Sequence, residues 1–249
     1  MKIVRYMYQG TVFGGRVEED SVISAFPGEK ERVIKLQNVK LLAPVSPSKI
    51  VCAGLNYYDH AEELGMAIPT EPVIFIKPPS SVIGHNDHIM YPSQSKRVDF
   101  EGELAVVIGK EARNIRSMDA KDYVLGYTCF NDVTARDLQK KDVQWTRAKS
   151  FDTFAPLGPY VETDLDPGDL SIRSILNNRV VQSSRTSKLI FKIPELLEFI
   201  SGIMTLFPGD IIATGTPGGI GPMLPQDEIA IEIEGIGRLV NRVVKITTQ

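Results

Sequence analysis

The chain is short of several things, and each shortage narrows what it can be. It has only two cysteines, Cys52 and Cys129, both in apolar settings (Ile-Val-Cys-Ala-Gly and Tyr-Thr-Cys-Phe-Asn). So few exclude a disulfide scaffold, and the pair reads as reduced core residues of a cytosolic protein rather than as a bridge. No apolar run reaches the ~18 residues that suggest a membrane span. The N-terminus, Met1-Lys2-Ile3-Val4-Arg5-Tyr6, lacks the long apolar core of a secretory signal. No Lys/Arg-rich block stands out, and 28 basic against 31 acidic residues leave a formal net charge of -3. Neither nucleic acid nor a membrane is therefore expected as a partner. Internal repeats and low-complexity segments are missing too. What remains is a cytoplasmic globular protein whose 249 residues suit one large domain, or one domain with a small appendage.

Short strands separated by turns fill the first 45 residues: Lys2–Tyr8, Thr11–Val17 and Ser21–Phe26, broken by Gly10, Gly14-Gly15 and Pro27-Gly28. Leu41 to Pro47 reads as a linker, because Pro44 and Pro47 interrupt both helix and sheet. We therefore expect a small N-terminal β subdomain over 1–45 and a main domain over 46–249. Beyond the linker, Lys49–Ala53 and Val73–Lys77 read as strands, and Asn56–Leu64 as a helix ending at Gly65. A short helix is expected near Ser117–Val124, then a strand Tyr127–Val133 running into a helical turn at Thr134–Lys141. The clearest helix is Ile193–Met204, with Ile193, Leu196, Leu197 and Ile200 at i, i+3, i+4 and i+7. Strands return at Ile211–Gly215, Glu228–Ile233 and Leu239–Ile246. Regular βα alternation is absent, so the expected class is mainly β with short helices (α+β), not a doubly wound parallel sheet.

The most informative stretch is Val98-Asp99-Phe100-Glu101-Gly102-Glu103-Leu104-Ala105-Val106-Val107-Ile108-Gly109. In a strand, residues i and i+2 share a face, so Glu101 and Glu103 should stand side by side. Two adjacent buried carboxylates repel each other and resist desolvation unless a cation lies between them. Asp132, at the end of another apolar strand, offers a third carboxylate. Three carboxylates without thiol or imidazole make a hard oxygen site, suited to Mg²⁺ or Mn²⁺ rather than Zn²⁺. The competing reading pairs these acids with Lys96, Arg97, Arg136 or Arg147 at a sheet rim.

Three other segments carry chemistry. In Gly54-Leu55-Asn56-Tyr57-Tyr58-Asp59-His60-Ala61-Glu62-Glu63, His60 and Glu63 share a helix face. Glu63 could then orient an imidazole that serves as a base, with Gly54 and Gly65 as hinges of a lid; a capped surface helix is the plainer alternative. Lys149, in Arg147-Ala148-Lys149-Ser150-Phe151-Asp152, is either a solvated loop lysine or a cation for an enolate oxyanion. The Gly-rich loop after Ile211–Thr214, with Thr216, has amides able to bind an anionic group. It matches neither a Walker A nor a dinucleotide fingerprint, so no nucleotide site is expected. His85 and His88 read as part of a solvated polar loop, with metal binding through their i, i+3 spacing as the alternative.

Together these segments closely resemble the fumarylacetoacetate hydrolase family over about Lys49 to Lys245. The marks are Gly-Leu-Asn-Tyr-x-x-His-x-x-Glu, Phe-Ile-Lys-Pro-Pro, Asp-Phe-Glu-Gly-Glu-Leu, Asn-Asp-Val-Thr-Ala-Arg-Asp-x-Gln, Ala-Lys-Ser-Phe-Asp and Gly-Asp-x-Ile-x-Thr-Gly-Thr-Pro-x-Gly. The resemblance implies a mixed β-roll catalytic domain, usually a homodimer, with the N-terminal extension of the family's short prokaryote-like members. It implies Mg²⁺ or Mn²⁺ on Glu101, Glu103 and Asp132, a lid dyad of His60 and Glu63, and Lys149 as the catalytic cation. Gln139 and Thr216 would touch the substrate, with Arg136 close by. A small 2-oxo acid is the implied substrate class. The implied reaction is C–C cleavage of an acylpyruvate through a pyruvate enolate, with decarboxylation of oxaloacetate also possible. Alternatives are isomerisation or decarboxylation of 2-hydroxyhepta-2,4-diene-1,7-dioate in aromatic catabolism, or a non-catalytic binder of metal and dicarboxylates.

Overall fold

A computed structural model describes residues 1–24 and 31–245 of the chain. The expected strand at Ser21–Phe26 is seen as Ser21–Ser24; Ala25, Phe26 and the Pro27-Gly28 turn lie outside the described residues, as does Ile246. Strands dominate, as expected, and form three sheets. The largest has twelve strands and a main path in the order Arg32–Lys35, Ser21–Ser24, Thr11–Glu18, Lys2–Tyr8, Ala155–Glu162, Val124–Asn131, Gly102–Ile108, Ile211–Ala213, Ile50–Ala53 and Ile74–Lys77. Most neighbours are antiparallel, but Ile211–Ala213 runs parallel to Ile50–Ala53. The first strand joins this sheet through Lys2 and Ile3, opposite Glu162 and Val161.

A five-stranded sheet contains Arg179–Arg185, Ser171–Leu176, Glu228–Ile233, Gly237–Lys245 and His88–Tyr91. A three-stranded sheet joins Thr134–Ala135, Val98–Phe100 and Gly221–Met223. Several of these strands are too short or too polar to announce themselves in sequence. No helix among the described residues is long and apolar enough to cross a membrane.

The strand Gly102–Ile108 is buried on both faces, which its unbroken apolar run requires. Leu104, Val106 and Ile108 face a large core shared with Leu196, Leu197, Ile229 and Ile231, while Ala105 and Val107 face a second core with Ile50, Cys52 and Phe130. Glu103, two residues before Ala105, belongs to the side of that second core. Helix Ile193–Ile203 buries the expected stripe of Ile193, Leu196, Leu197 and Ile200, and Glu195 accepts from the Lys192 amide at its start (2.6 Å). The lid candidate is a helix over Tyr58–Leu64, two residues shorter at its start than expected, and it ends at Gly65.

One expectation about the acidic stretch needs correction. It is not a single strand: Val98–Phe100 belongs to the three-stranded sheet and Gly102–Ile108 to the twelve-stranded one, with Glu101 at the break. The chain changes sheets there because Val98–Phe100 pairs with Thr134–Ala135 and Gly221–Met223, whereas the following residues pair with Val124–Asn131 and Ile211–Ala213. Both free cysteines are buried, in agreement with the core reading.

Candidate active site

Glu101 and Glu103 do come together as expected, at the point where the chain passes from one sheet to the other, with Gly102 between them facing Ser174 and Ile231. Asp132 follows the last residue of Val124–Asn131, and its amide donates to the Glu101 carbonyl (2.9 Å). Ligand oxygens of Glu101, Glu103 and Asp132 all lie within 4.8 Å of one another, and all three residues are buried. Gly102 between the glutamates is required by close approach. A Cβ there would lie 2.3 Å from Ser174 Oγ and 3.0 Å from Ile231 Cδ1.

The basic residues close around this cluster. Lys149 Nζ donates to Glu101 Oε2 (2.9 Å) and Asp132 Oδ2 (2.5 Å), and the side chain is buried. Arg136 donates to Glu101, to Asp99 Oδ2 (2.9 Å) and to Gln139 Oε1 (2.6 Å). The ion-pair reading of the sequence is therefore correct for Arg136 on Glu101, whereas Arg97 pairs with Asp99 (2.8 Å) and Arg147 with Asp142, neither of them one of the three acids. These pairs accompany the carboxylate cluster and do not replace it.

The electrostatics differ among the acids. Burial pushes the Glu101 carboxyl up, but the Lys149 and Arg136 charges outweigh it and hold it at about 2. Glu103 has no such cation on it. Burial first, then the charges of Asp132 and Glu101, push its carboxyl well above the usual range, although the Gly215 amide donates to it (2.8 Å). Burial alone would lower Lys149, yet Asp132 and Glu101 raise it, so it remains an ammonium.

The Gly-rich loop joins the cluster to the lid candidate. Gly215 has φ of 100°, and a Cβ on it would lie 2.8 Å from Asn56 Cβ, so glycine is needed where the loop meets Glu103. Thr216 Oγ1 donates to the Gly102 carbonyl (2.9 Å) and accepts from Gln182 Nε2 (2.9 Å). Farther along, the Gly219 amide donates to Glu63 Oε2 (3.0 Å), and that oxygen lies 3.1 Å from His60 Nδ1. His60 is itself buried, so the pair is more than a casual surface contact. Asp59 ties the same helix down, accepting from Ser184 Oγ (2.6 Å).

Several contributors were given no role by the sequence reading, although Lys77 and Asp99 lie within its quoted marks. Lys77 is fully buried on Asp132 (2.5 Å), Asp99 is buried between Arg97 and Arg136, and Gln182 Oε1 accepts from the Gly102 amide (3.0 Å). Lys77 left a signal, a lone charge closing the apolar run Val73-Ile74-Phe75-Ile76. Gln182, in a polar strand eighty residues away, left none. His85 and His88 take no part. His85 Nδ1 accepts from the Val240 amide (3.1 Å), and His88 begins a strand.

The donor set fits a divalent cation: three buried carboxylates, one of them resisting ionisation because it is buried beside the other two, and no sulfur or imidazole among them. Asn131 Oδ1, next to Asp132, accepts from the Glu101 amide (2.9 Å), but its Nδ2 is buried without a hydrogen-bond partner, as is the Tyr57 hydroxyl beside the lid candidate. Fold and cluster together define a class, β-rich proteins with a buried cluster of three carboxylates able to hold a cation, flanked by a buried lysine and a partly buried arginine.

Known proteins narrow this further. The fumarylacetoacetate (FAA) hydrolase C-terminal family matches residues 49–244. A protein of Archaeoglobus fulgidus is 55% identical over 245 residues, which is 98% of this chain and 97% of the relative. Rattus norvegicus mitochondrial oxaloacetate tautomerase Fahd2a is 44% identical over 224 residues, 85% of this chain and 72% of that protein. The structure of 5-carboxymethyl-2-hydroxymuconate delta-isomerase from Mycobacterium smegmatis superposes with a TM-score of 0.93 at 44% identity, covering 100% of both chains. Maleylpyruvate hydrolase from Sphingobium, solved with manganese(II) ion and pyruvate, gives a TM-score of 0.85 at 30% identity, over 99% of this chain and 100% of that one. The chain belongs to the fumarylacetoacetate hydrolase family, whose named members here are enzymes: a tautomerase, an isomerase and a hydrolase.

Proposed function

We propose that the chain is a Mg²⁺- or Mn²⁺-dependent enzyme of 2-oxo acid chemistry that cleaves acylpyruvates. The observation that carries this reading is the buried triad with Lys149 against it, tied to the His60–Glu63 pair by one loop whose Gly215 amide donates to Glu103 and whose Gly219 amide donates to Glu63. An ion on Glu101, Glu103 and Asp132 would supply Lewis-acid stabilisation of the charge that develops on the 2-oxo acid.

The chain's own groups do the rest. Lys149 stabilises the enolate oxygen with its ammonium, and Arg136 and Gln139 position the substrate carboxylate. Glu63 orients the His60 imidazole, which removes a proton from water. The water oxygen bonds to the distal carbonyl carbon. The C–C bond then breaks, its electron pair passing into the pyruvate enolate while the acyl group leaves as a carboxylic acid. Protonation of the enolate gives pyruvate. With oxaloacetate the same stabilisation serves decarboxylation, and no water attacks. The manganese and pyruvate in the related maleylpyruvate hydrolase support this chemistry.

A second reading is proton transfer alone, isomerisation or tautomerisation of a 2-oxo or 2-hydroxy diacid. It is favoured by the 44% identity to both the tautomerase and the isomerase. The test follows pyruvate release from acetylpyruvate and oxaloacetate by metal-stripped protein before and after adding Mn²⁺, beside metal-only controls. His60→Ala should abolish acylpyruvate hydrolysis while Mn²⁺ binding persists. Equal hydrolysis by wild type and variant would sink the hydrolase reading, and turnover of the diacid alone would favour the second. A cytoplasmic homodimer acting on a small-molecule substrate belongs to the same proposal, and light scattering tests the dimer.

A further inference from the structure

Two lysines, not one, hold Asp132, and they hold it differently. Lys149 Nζ reaches Oδ2, on the side shared with Glu101, and would have to yield that oxygen to an incoming cation. Lys77 Nζ takes the opposite oxygen, Oδ1 (2.5 Å), and also donates to the Val133 carbonyl (3.1 Å). Lys77 is 0% exposed, so its ammonium is buried with these as its hydrogen-bond acceptors. It reaches the site from the last residue of Ile74–Lys77, an outermost strand of the twelve-stranded sheet, with Pro78 and Pro79 directly behind it.

The other polar groups of Asp132 are pinned as well. Its amide donates to Glu101 O (2.9 Å), and its carbonyl accepts from Thr134 Oγ1 (2.8 Å). Only Oδ2 is left to face the other carboxylates.

We infer that Lys77 is a positioning residue for the cation site: it locks Asp132 Oδ1 and the Val133 turn so that Oδ2 points into the carboxylate cluster. This rests on the proposed metal-dependent reading. A buried ammonium near a cation site would, as a bare charge, repel the cation. A buried ammonium that fixes the ligand's rotamer does the opposite, because without it Asp132 can turn both oxygens onto Lys149. The two roles therefore predict opposite signs, and the sign is what the experiment reads.

The Mn²⁺ dissociation constant is measured by electron paramagnetic resonance of free Mn²⁺ for wild type, Lys77→Met and Lys77→Gln, with no substrate present. Removing a hydrogen-bond partner of a metal ligand costs roughly 10–100-fold in affinity, and Lys77→Met should fall in that range. Lys77→Gln retains a donor and should recover most of the loss. In an Asp132→Asn background, Lys77→Met should add nothing further, because its effect passes through Asp132. Melting of the metal-free proteins separates this from general damage: a purely structural role would lower the melting temperature and leave the Mn²⁺ constant unchanged. Unchanged or tighter Mn²⁺ binding in folded Lys77→Met overturns the inference. If Lys77→Met does not fold, Lys77→Gln carries the comparison, and affinity more than tenfold below wild type in that donor-retaining variant overturns it. Failure of the wild type to bind Mn²⁺ overturns the metal reading itself, and the inference with it.

Discussion

Replacing Glu103 by glutamine should make the metal-free protein more stable and the metal-bound one unattainable. Glutamine keeps an acceptor for the Gly215 amide, which now donates to Glu103 Oε2 at 2.8 Å. It removes the carboxyl whose ionisation is opposed by burial and then by Asp132 and Glu101. The sign follows from linkage. Because the folded value lies above the unfolded one of about 4.3, the unfolded chain ionises first as pH rises. Wild-type stability then falls by about 1.4 kcal/mol per pH unit until the folded value is reached. Within that window the glutamine variant gains about 1.4 kcal/mol for each pH unit, or roughly 3–6 °C in Tm per unit for a chain of this size.

Mn²⁺ reverses the ranking. At about a thousand times its Kd a ligand adds about 4 kcal/mol, which lifts the wild type by roughly 8–16 °C and leaves the variant where it was. Calorimetry of both proteins from pH 5 to 8, in EDTA and in Mn²⁺, reads all of this in one series. A variant less stable than wild type at every pH without metal, or one with the full Mn²⁺ shift, would refute the reasoning.

Gly102→Ala places a methyl group 2.3 Å from Ser174 Oγ and 3.3 Å from Gln182 Oε1. It should cost about 1–3 kcal/mol by overpacking, seen as a lower Tm, and should weaken Mn²⁺ binding by parting the two glutamates. Asp210 is fully buried and accepts from Lys49, Ser48 (2.6 Å) and the Phe207 amide (2.8 Å). Burial would raise its carboxyl, but these hydrogen bonds hold it below the ordinary value. Its contribution is present above an unfolded value of about 3.9 and is lost as pH falls through the folded one. Asp210→Ala should therefore cost about 3 kcal/mol at pH 7, a gap in chemical-denaturation midpoint that closes toward pH 2 and would, if constant with pH, show that the ion pair contributes nothing.

Sequence by itself determined the β-rich class, the helix at Ile193–Ile203 and the identity of the three clustered acids. Each is a local property. An apolar stripe repeating every 3.6 residues needs a helix whatever covers it, and carboxylates set in apolar runs must find a cation or a hydrogen-bond donor wherever they fold. His60 and Glu63 were legible for the same reason, being three residues apart on one helix. Only the tertiary structure decided that the chain changes sheets at Glu101, because which strands pair on either side of it is set by distant segments. It also decided the partners of those acids. Lys77, Gln182 and Gly215 lie 55, 80 and 112 residues from the groups they hold. No spacing rule reaches that far, because such neighbours are chosen by the packing of sheets, and a buried charge takes whichever donor that packing delivers to it.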